Sequence, residues 1–286
     1  MKAEVSTDAR LNRWLSVACA VLIGVDLLHI PLGLASIPRF YERVTTLAIP
    51  VFATDVGSGL TNEIVLAESA ARGMSLPAYA LYRMGIHLLV SAVFTVVGAL
   101  VLWRARSHWF GWFTAHVLLF LNSYAYFPIA RVALLVPPIW IEWSALFWPT
   151  FGLYLLLFPN GRVVPRWARL LALVYALVHL ALQLAALLAL AGLLPPESFD
   201  AIQGPGGAFI FAALVLILGS QVYRYIRVSS SAEREQTKWF LLGLAALILP
   251  SSIGEALRVD AVFRTFEWDT LSLTILPVTL AIAILR

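Results

Sequence analysis

The stretch ALYRMGIHLLVSAVFTVVGALVLW, residues 80–103, decides the fold class of this chain. A membrane-spanning helix needs roughly 20 apolar residues, because each residue adds about 1.5 Å along the axis and the hydrocarbon layer is about 30 Å thick. Residues 80–103 reach that length, and their basic side chains, Arg83 and His87, both lie near the first end of the run. The stretch therefore predicts a transmembrane helix.

The composition extends this prediction to the whole chain. Of the 286 residues, 61% are hydrophobic and 13% are charged, whereas a soluble domain carries about 25% charged residues. The mean hydropathy is +0.86. The single cysteine, Cys19, excludes a disulfide framework. Lipid must cover the surplus apolar surface, so the sequence predicts an all-α polytopic membrane protein.

We predict about eight transmembrane helices within a single transmembrane domain, residues 1–286. The one long connection, 38–79, is expected outside the cytoplasm, and Thr61–Arg72 within it is expected to form a short amphipathic helix. The eight predicted spans are 14–36, 80–103, 109–128, 138–158, 168–194, 206–226, 238–256 and 269–285.

The distribution of Lys and Arg predicts the orientation. Most of the 20 basic residues fall in the segments that share a side with the N-terminus, and cytoplasmic segments are the ones enriched in Lys and Arg. We therefore expect the N-terminus in the cytoplasm, and an even number of spans returns the C-terminus there.

Two connections predicted in the cytoplasm have distinct motifs. In LFPNGRVVPRW, residues 157–167, Asn160-Gly161 favours a tight turn and Arg162 can reach lipid phosphates. In SSSAEREQTKWF, residues 229–240, serine before an acidic turn predicts a capped helix start. A topogenic turn and a capped entry into a span are sufficient explanations for both. The residues of this cytoplasmic motif are Asn160, Gly161, Arg162, Arg234, Lys238 and Trp239.

Four stretches resemble a known family. They are GMSLPAYA (73–80) running on to LWR (102–104), FPNGR (158–162) with PRW (165–167), EREQTKW (233–239), and ILP (275–277) running on to AILR (283–286). Together they resemble the multi-pass N-terminal membrane sensor region of bacterial sensor histidine kinases, over roughly residues 70–286. The sensor region of a competence kinase that answers a peptide pheromone is similar in kind.

The resemblance implies two-component signal transduction in the bacterial inner (plasma) membrane, a homodimer and a cytoplasmic kinase module. The sequence departs from the family because it holds no phospho-acceptor His-Glu helix and no ATP-lid sequence. We therefore expect a sensor region truncated before its kinase and without enzymatic activity or catalytic residues of its own. Related membrane regions also precede other output domains, so the output stays open.

Ionisable and polar side chains within or beside the spans are candidates for a ligand site, because charge at membrane depth is costly. Under the predicted topology they converge on the outer leaflet, where an amphipathic or peptide signal would bind. Structural ion pairs, Asp26 with Arg83 or Glu255 with Arg258, are the alternative. The candidate ligand-binding residues are Asp26, His29, Arg83, His87, Asn122, Tyr126, Trp140, Glu142 and Glu255.

His116 and His179 lie deeper in their spans. We expect no metal and no cofactor there, because no carboxylate is predicted beside either histidine. Hydrogen bonding across a helix interface is the preferred interpretation. The lipid bilayer is an expected partner, and no nucleic acid partner is expected. A small-solute transporter or channel is the alternative function, since Pro31, Pro149 and Pro250 offer possible helix breaks.

Overall fold

The computed structural model describes residues 2–49, 60–105, 107–133, 147–190, 192–256 and 273–285. Throughout these ranges the chain forms helices joined by turns, without a β-strand, so the all-α prediction is confirmed for them. The helices are α1 Lys2–Leu27, α2 His29–Thr45, α3 Asn62–Ala71, α4 Leu76–Ala105, α5 Trp109–Ala133, α6 Phe147–Leu157, α7 Ala168–Leu190, α8 Pro196–Arg227, α9 Ser231–Ala256 and α10 Ile275–Leu285.

Within the described ranges, four helical stretches are long and apolar enough to cross a membrane: Ala9–Thr45, Leu76–Ala105, Ala168–Ala189 and Gly204–Arg227. They correspond to the first, second, fifth and sixth predicted spans. The membrane class is thereby supported. The count of eight spans and their orientation stay predictions.

The first predicted span differs in its shape. It consists of two helices, with α1 ending at Leu27, a turn at Leu28, and α2 continuing to Thr45. Pro31 supplies the reason, because it has no N–H to donate to the carbonyl of Leu27 four residues earlier. The long connection therefore starts later than residue 38. Within it, Thr61 caps α3 by accepting a hydrogen bond from Ile64 N at 3.1 Å, so the predicted short helix is present.

The chain divides into two compact units. Unit 1 comprises Met1–Pro137 and Trp239–Arg286, and unit 2 comprises Pro138–Lys238. In unit 1, α5 is the central helix against which α1, α2 and α4 pack, and α10 packs on α4. One apolar cluster joins α2, α3, α4 and α5 through buried residues including Phe40, Val65, Tyr79 and Ile129.

In unit 2, α7 and α8 pack on each other and α6 contacts both. Glycines permit the close approach. A methyl group on Gly206 would lie 2.8 Å from the Leu182 side chain, and one on Gly152 would collide with the Tyr175 ring. The opposite surface of α7 presents exposed leucines such as Leu173 and Leu180, as expected for a helix covered by lipid.

Candidate functional site

Asp26 of α1 and His116 of α5 meet inside unit 1. Asp26 Oδ2 lies 2.6 Å from His116 Nδ1, and the two residues are 2% and 3% exposed. The His116 ring stacks on Phe120 with centroids 5.5 Å apart. One turn before Asp26, Ile23 packs in an apolar cluster with Leu119. A carboxyl group and an imidazole therefore form a polar contact in apolar surroundings.

This contact corrects two expectations. The alternative in which Asp26 forms an ion pair with Arg83 is wrong, because Asp26 contacts His116 and Arg83 lies near Glu68. The expectation that no carboxylate lies beside His116 is also wrong. The reason is the packing order, because α1 lies along α5 and thereby brings Asp26 to His116. His29 is adjacent, since its Nδ1 lies 3.1 Å from the backbone oxygen of Asp26.

Arg83 belongs to a separate cluster, which we call the Glu68 cluster. It consists of Glu68, Arg72, Tyr79 and Arg83. The Tyr79 hydroxyl donates to Glu68 Oε2 at 2.6 Å, and Arg72 Nη1 donates to the same oxygen at 3.3 Å. Arg83 Nη1 lies 4.0 Å from it. The guanidinium of Arg72 also sits 5.7 Å from the centroid of the Tyr79 ring. These contacts fasten α3 to the first turns of α4.

A row of polar side chains continues from this cluster along α4. Residues four apart form an inclined ridge on a helix, and here the ridge is polar while its neighbours are apolar. His87 and Ser91 are buried, and Asn122 Nδ2 of α5 donates to Thr95 Oγ1 at 3.1 Å. The α4 polar row consists of Tyr79, Arg83, His87, Ser91 and Thr95.

The remaining ligand-site candidates are not placed. Trp140 and Glu142 lie outside the described residues. For Tyr126 and Glu255 the structure describes the helical backbone alone. The convergence of all nine candidates on one pocket therefore stays a prediction.

Unit 2 contains a polar cluster centred on a buried arginine. Arg224, in the last turn of α8, is 2% exposed. Its Nη1 donates to the backbone oxygen of Arg162 at 2.7 Å, and its Nη2 donates to Asn160 Oδ1. The guanidinium of one helix end is thus held by the Asn160-Gly161-Arg162 turn.

The same cluster includes the start of α9. Asn160 Nδ2 donates to Glu233 Oε1. Ser230 N donates to Glu233 Oε2 at 2.8 Å, and Glu233 N donates to Ser230 Oγ at 3.3 Å. This reciprocal pair is a capping box, so the predicted capped helix start is confirmed. We call Asn160, Arg162, Arg224, Ser230 and Glu233 the Arg224 cluster.

The electrostatics of the Arg224 cluster favour a charged carboxylate. Burial raises the pKa of Glu233, but this is outweighed by hydrogen bonds from the Ser230 backbone, from Asn160 and from the Ser230 hydroxyl, and by the charge of Arg224. The net pKa lies below the usual glutamate value. Glu233 therefore remains a carboxylate at neutral pH, opposite the guanidinium.

The other motif residues are placed around this cluster or beyond it. Gly161 has φ 77°, which is the left-handed conformation that Asn-Gly turns favour. Arg234 is exposed and donates to the Ile226 backbone oxygen at 3.2 Å. Lys238 is exposed and pairs with Glu235 at 2.5 Å, while Trp239 is half-buried.

Sequence reasoning missed Glu68, Tyr79, His116 as the Asp26 partner, and Arg224. Arg224 was counted as one more cytoplasmic basic residue, and its burial cannot be read from spacing. The sequence contains one signal of the capping box, which is that Ser230 lies three residues before Glu233. Within the described residues, no group of three or more His, Cys, Asp and Glu side chains is arranged to hold a metal ion.

Over the residues that the structure describes, the chain is helical and contains four helices long and apolar enough to span a membrane. Comparison with known proteins adds no relative: no family model, no curated protein and no solved structure matches this chain.

Proposed function

We propose that this chain is the membrane-embedded signal-sensing domain of a two-component histidine kinase. In this proposal a signal binds in the outer leaflet of the inner membrane, and the last helix, α10, relays the change to a cytoplasmic kinase module. The observation that carries the proposal is the Arg224 cluster, since it joins two stretches on which the family resemblance rests, FPNGR and EREQTKW.

The physical argument is that the Arg224 cluster makes two connections behave as one body. Arg224 at the end of α8 bonds to the turn before α7, and Asn160 in that turn bonds to Glu233 at the start of α9. A buried guanidinium is costly unless all its partners stay in place. Movement of one helix end therefore displaces the other two, as a relay requires.

The signal-binding part of the proposal rests on unit 1. The Asp26–His116 pair, the Glu68 cluster and the α4 polar row place polar groups among helices that otherwise pack through apolar side chains. An amphipathic or peptide signal shifts a helix arrangement only by binding one arrangement more tightly than another. In the family that the chain resembles, such kinases act as homodimers, and we extend this to the proposal.

Autophosphorylation tests the proposal. Inverted membrane vesicles from cells that express the complete gene product containing this chain are incubated with γ-labelled ATP. We expect labelled protein, and we expect Arg224→Lys to change the rate of labelling while the amount of membrane-inserted protein stays the same. Arg227→Lys, an exposed arginine on the same helix end, is the matched control. Absence of labelling in the wild type contradicts the proposal.

A small-solute transporter or channel is the second candidate, and the α4 polar row favours it. His87 and Ser91 are buried polar groups within a spanning helix, and such groups mark substrate or ion pathways in many transporters. Proteoliposomes holding a pH-sensitive dye, and energised by a potassium gradient with valinomycin, test it. Proton or solute flux above that of empty liposomes, lost in His87→Gln, decides for transport.

A further inference from the structure

The Asp26–His116 pair is the most enclosed pair of ionisable groups in the part of the chain that the structure describes. Both residues are at least nine-tenths buried, and the contact joins two helices whose residues lie 90 positions apart in the chain. Asp26 Oδ1 makes no hydrogen bond to any described residue. One carboxyl oxygen is therefore held by His116, and the other is buried without a hydrogen-bond partner among the described residues.

The charge state follows from this geometry. A carboxylate with one bare oxygen in an apolar interior carries a large desolvation cost. One proton shared between Asp26 and His116 makes the pair neutral overall, whether it is written as carboxylate and imidazolium or as carboxylic acid and imidazole. Removing that proton leaves a buried negative charge, and adding a second leaves a buried positive charge.

The neighbouring helices place few other titratable groups beside the pair in the described residues. On α2, His29 lies against the backbone oxygen of Asp26. Among the described residues, the titratable side chains placed against Asp26 are His29 and His116. On the same face of α1, the buried thiol of Cys19 is two turns away. At this level α4 contributes the apolar side chain of Leu102.

We propose that Asp26 and His116 form one proton-binding site, which holds a single proton while α1 is packed on α5 and loses it when water separates the pair. The inference does not depend on the proposed kinase function, because it concerns the ligand of this pair alone. In water an aspartate protonates near pH ~3.9 and a histidine near pH ~6.5.

A rise in pH favours separation of α1 from α5. Between about pH 4 and pH 6.5 the packed and the separated states each hold one proton, so packing is independent of pH. Above about pH 6.5 the separated state loses its proton and the packed state keeps it. Each further pH unit then shifts the equilibrium toward separation, by up to about tenfold. Proton release is thus coupled to opening of the α1–α5 contact.

Nitrogen-15 NMR of histidine in lipid nanodiscs tests the proton itself. His116 is assigned with His116→Gln, and the ring shifts are followed from pH 5 to pH 8.5. We expect the ring shifts of His116 to carry the signature of a proton shared with Asp26 in the wild type and to lose that signature in Asp26→Asn. His179, a buried histidine whose Nδ1 faces the backbone oxygen of Tyr175 at 3.1 Å, is the internal control. Wild-type His116 shifts that match those of Asp26→Asn at every pH overturn the proposal.

Cys19 reports the coupling to packing, because it is the only cysteine in the sequence and lies on the buried face of α1. Its rate of reaction with N-ethylmaleimide is measured from pH 6 to pH 8.5 in the wild type, Asp26→Asn and His179→Gln. Dividing the wild-type rate by the Asp26→Asn rate removes the titration of the thiol. Above pH 6.5 we expect this ratio to rise with pH, by up to about tenfold per pH unit. His179→Gln should react at the wild-type rate throughout. A ratio independent of pH overturns the coupling.

Discussion

Arg224 bonds to two acceptors through one planar guanidinium. Its two terminal nitrogens donate to the Arg162 carbonyl and to the Asn160 side chain, in a position where the residue is almost fully buried. A lysine would carry the same charge, but it presents one ammonium group rather than a fork of fixed donors. At the residue scale, the shape of the donor group matters as much as its charge.

We expect Arg224→Lys to lower the free energy of unfolding by about 2–4 kcal/mol, because hydrogen bonds to charged groups contribute about 1.5–3 kcal/mol each. Thermal unfolding of the protein in detergent or nanodiscs measures the change. Arg227→Lys on the exposed surface of α8 should change stability by no more than about 0.5 kcal/mol. Equal effects of the two substitutions would show that the fork is unimportant.

Glu233 provides a pH prediction. Because its folded-state pKa is lowered, its contribution to stability is present above the ordinary glutamate pKa and disappears as the pH falls through the lowered pKa. The difference in melting temperature between the wild type and Glu233→Gln should therefore be constant near neutral pH and shrink in acid. Glu235→Gln, on the same helix turn but exposed, is the comparison. A difference that persists unchanged into acid would refute the assignment.

At the scale of elements, glycines decide which helices can approach closely. Gly152 of α6 faces the ring of Tyr175 on α7, whereas Gly219 of α8 has open space where a methyl group would be added. Both glycines lie in unit 2 and within helices. They therefore form a matched pair for testing helix contact.

Gly152→Ala should lower the free energy of unfolding by about 1–3 kcal/mol, since the added methyl group forces the Tyr175 ring or the helix to shift. Gly219→Ala should leave stability unchanged or raise it by up to about 1 kcal/mol, because alanine favours the helix. Melting temperatures in the same detergent compare the two. If Gly152→Ala is as well tolerated as Gly219→Ala, the α6–α7 contact is looser than described.

Asn12 gives a second prediction at this scale, because it joins α1 to the start of α5. Its Oδ1 accepts a hydrogen bond from Trp109 N at 2.9 Å, which is the bond that an N-cap residue directly before the helix would accept. We expect Asn12→Ala to destabilise the protein by about 1 kcal/mol, the usual cost of a lost cap. Asn12→Asp should restore most of the loss, since its carboxylate also accepts from Trp109 N. Loss in both variants to the same extent would argue against capping.

At the scale of the whole molecule, the predicted topology assigns each connection to one side of the membrane. The predicted topology places Ser75 outside and Val228 in the cytoplasm, and both are exposed. Impermeant maleimide applied to intact cells, in a Cys19→Ser background, should label Ser75→Cys and leave Val228→Cys unlabelled. Permeabilised cells should show labelling of both. Labelling of the two positions from the same side would rule out the predicted topology.

Several features could be derived from the order of residues alone. The apolar runs predicted helices at 80–103, 168–194 and 206–226, because a membrane demands a length that is visible in sequence. The serines that precede the acidic turn in residues 229–240 predicted the start of α9, and Thr61–Arg72 was predicted as the short helix in the long connection. These are local effects, determined by neighbours within one or two helical turns.

Tertiary structure decided the partners of the polar groups. Asp26 meets His116 rather than Arg83, and Arg83 lies near Glu68. Arg224 of α8 is buried against the Asn160-Gly161-Arg162 turn, which lies far from it in the chain. The 80–103 run itself illustrates the division, because its length predicted α4, yet which of its sides faces α5 and carries the polar row depended on packing. A helix forms from local hydrogen bonds and apolar length, whereas the meeting of two side chains depends on how helices distant in sequence rotate and cross against each other.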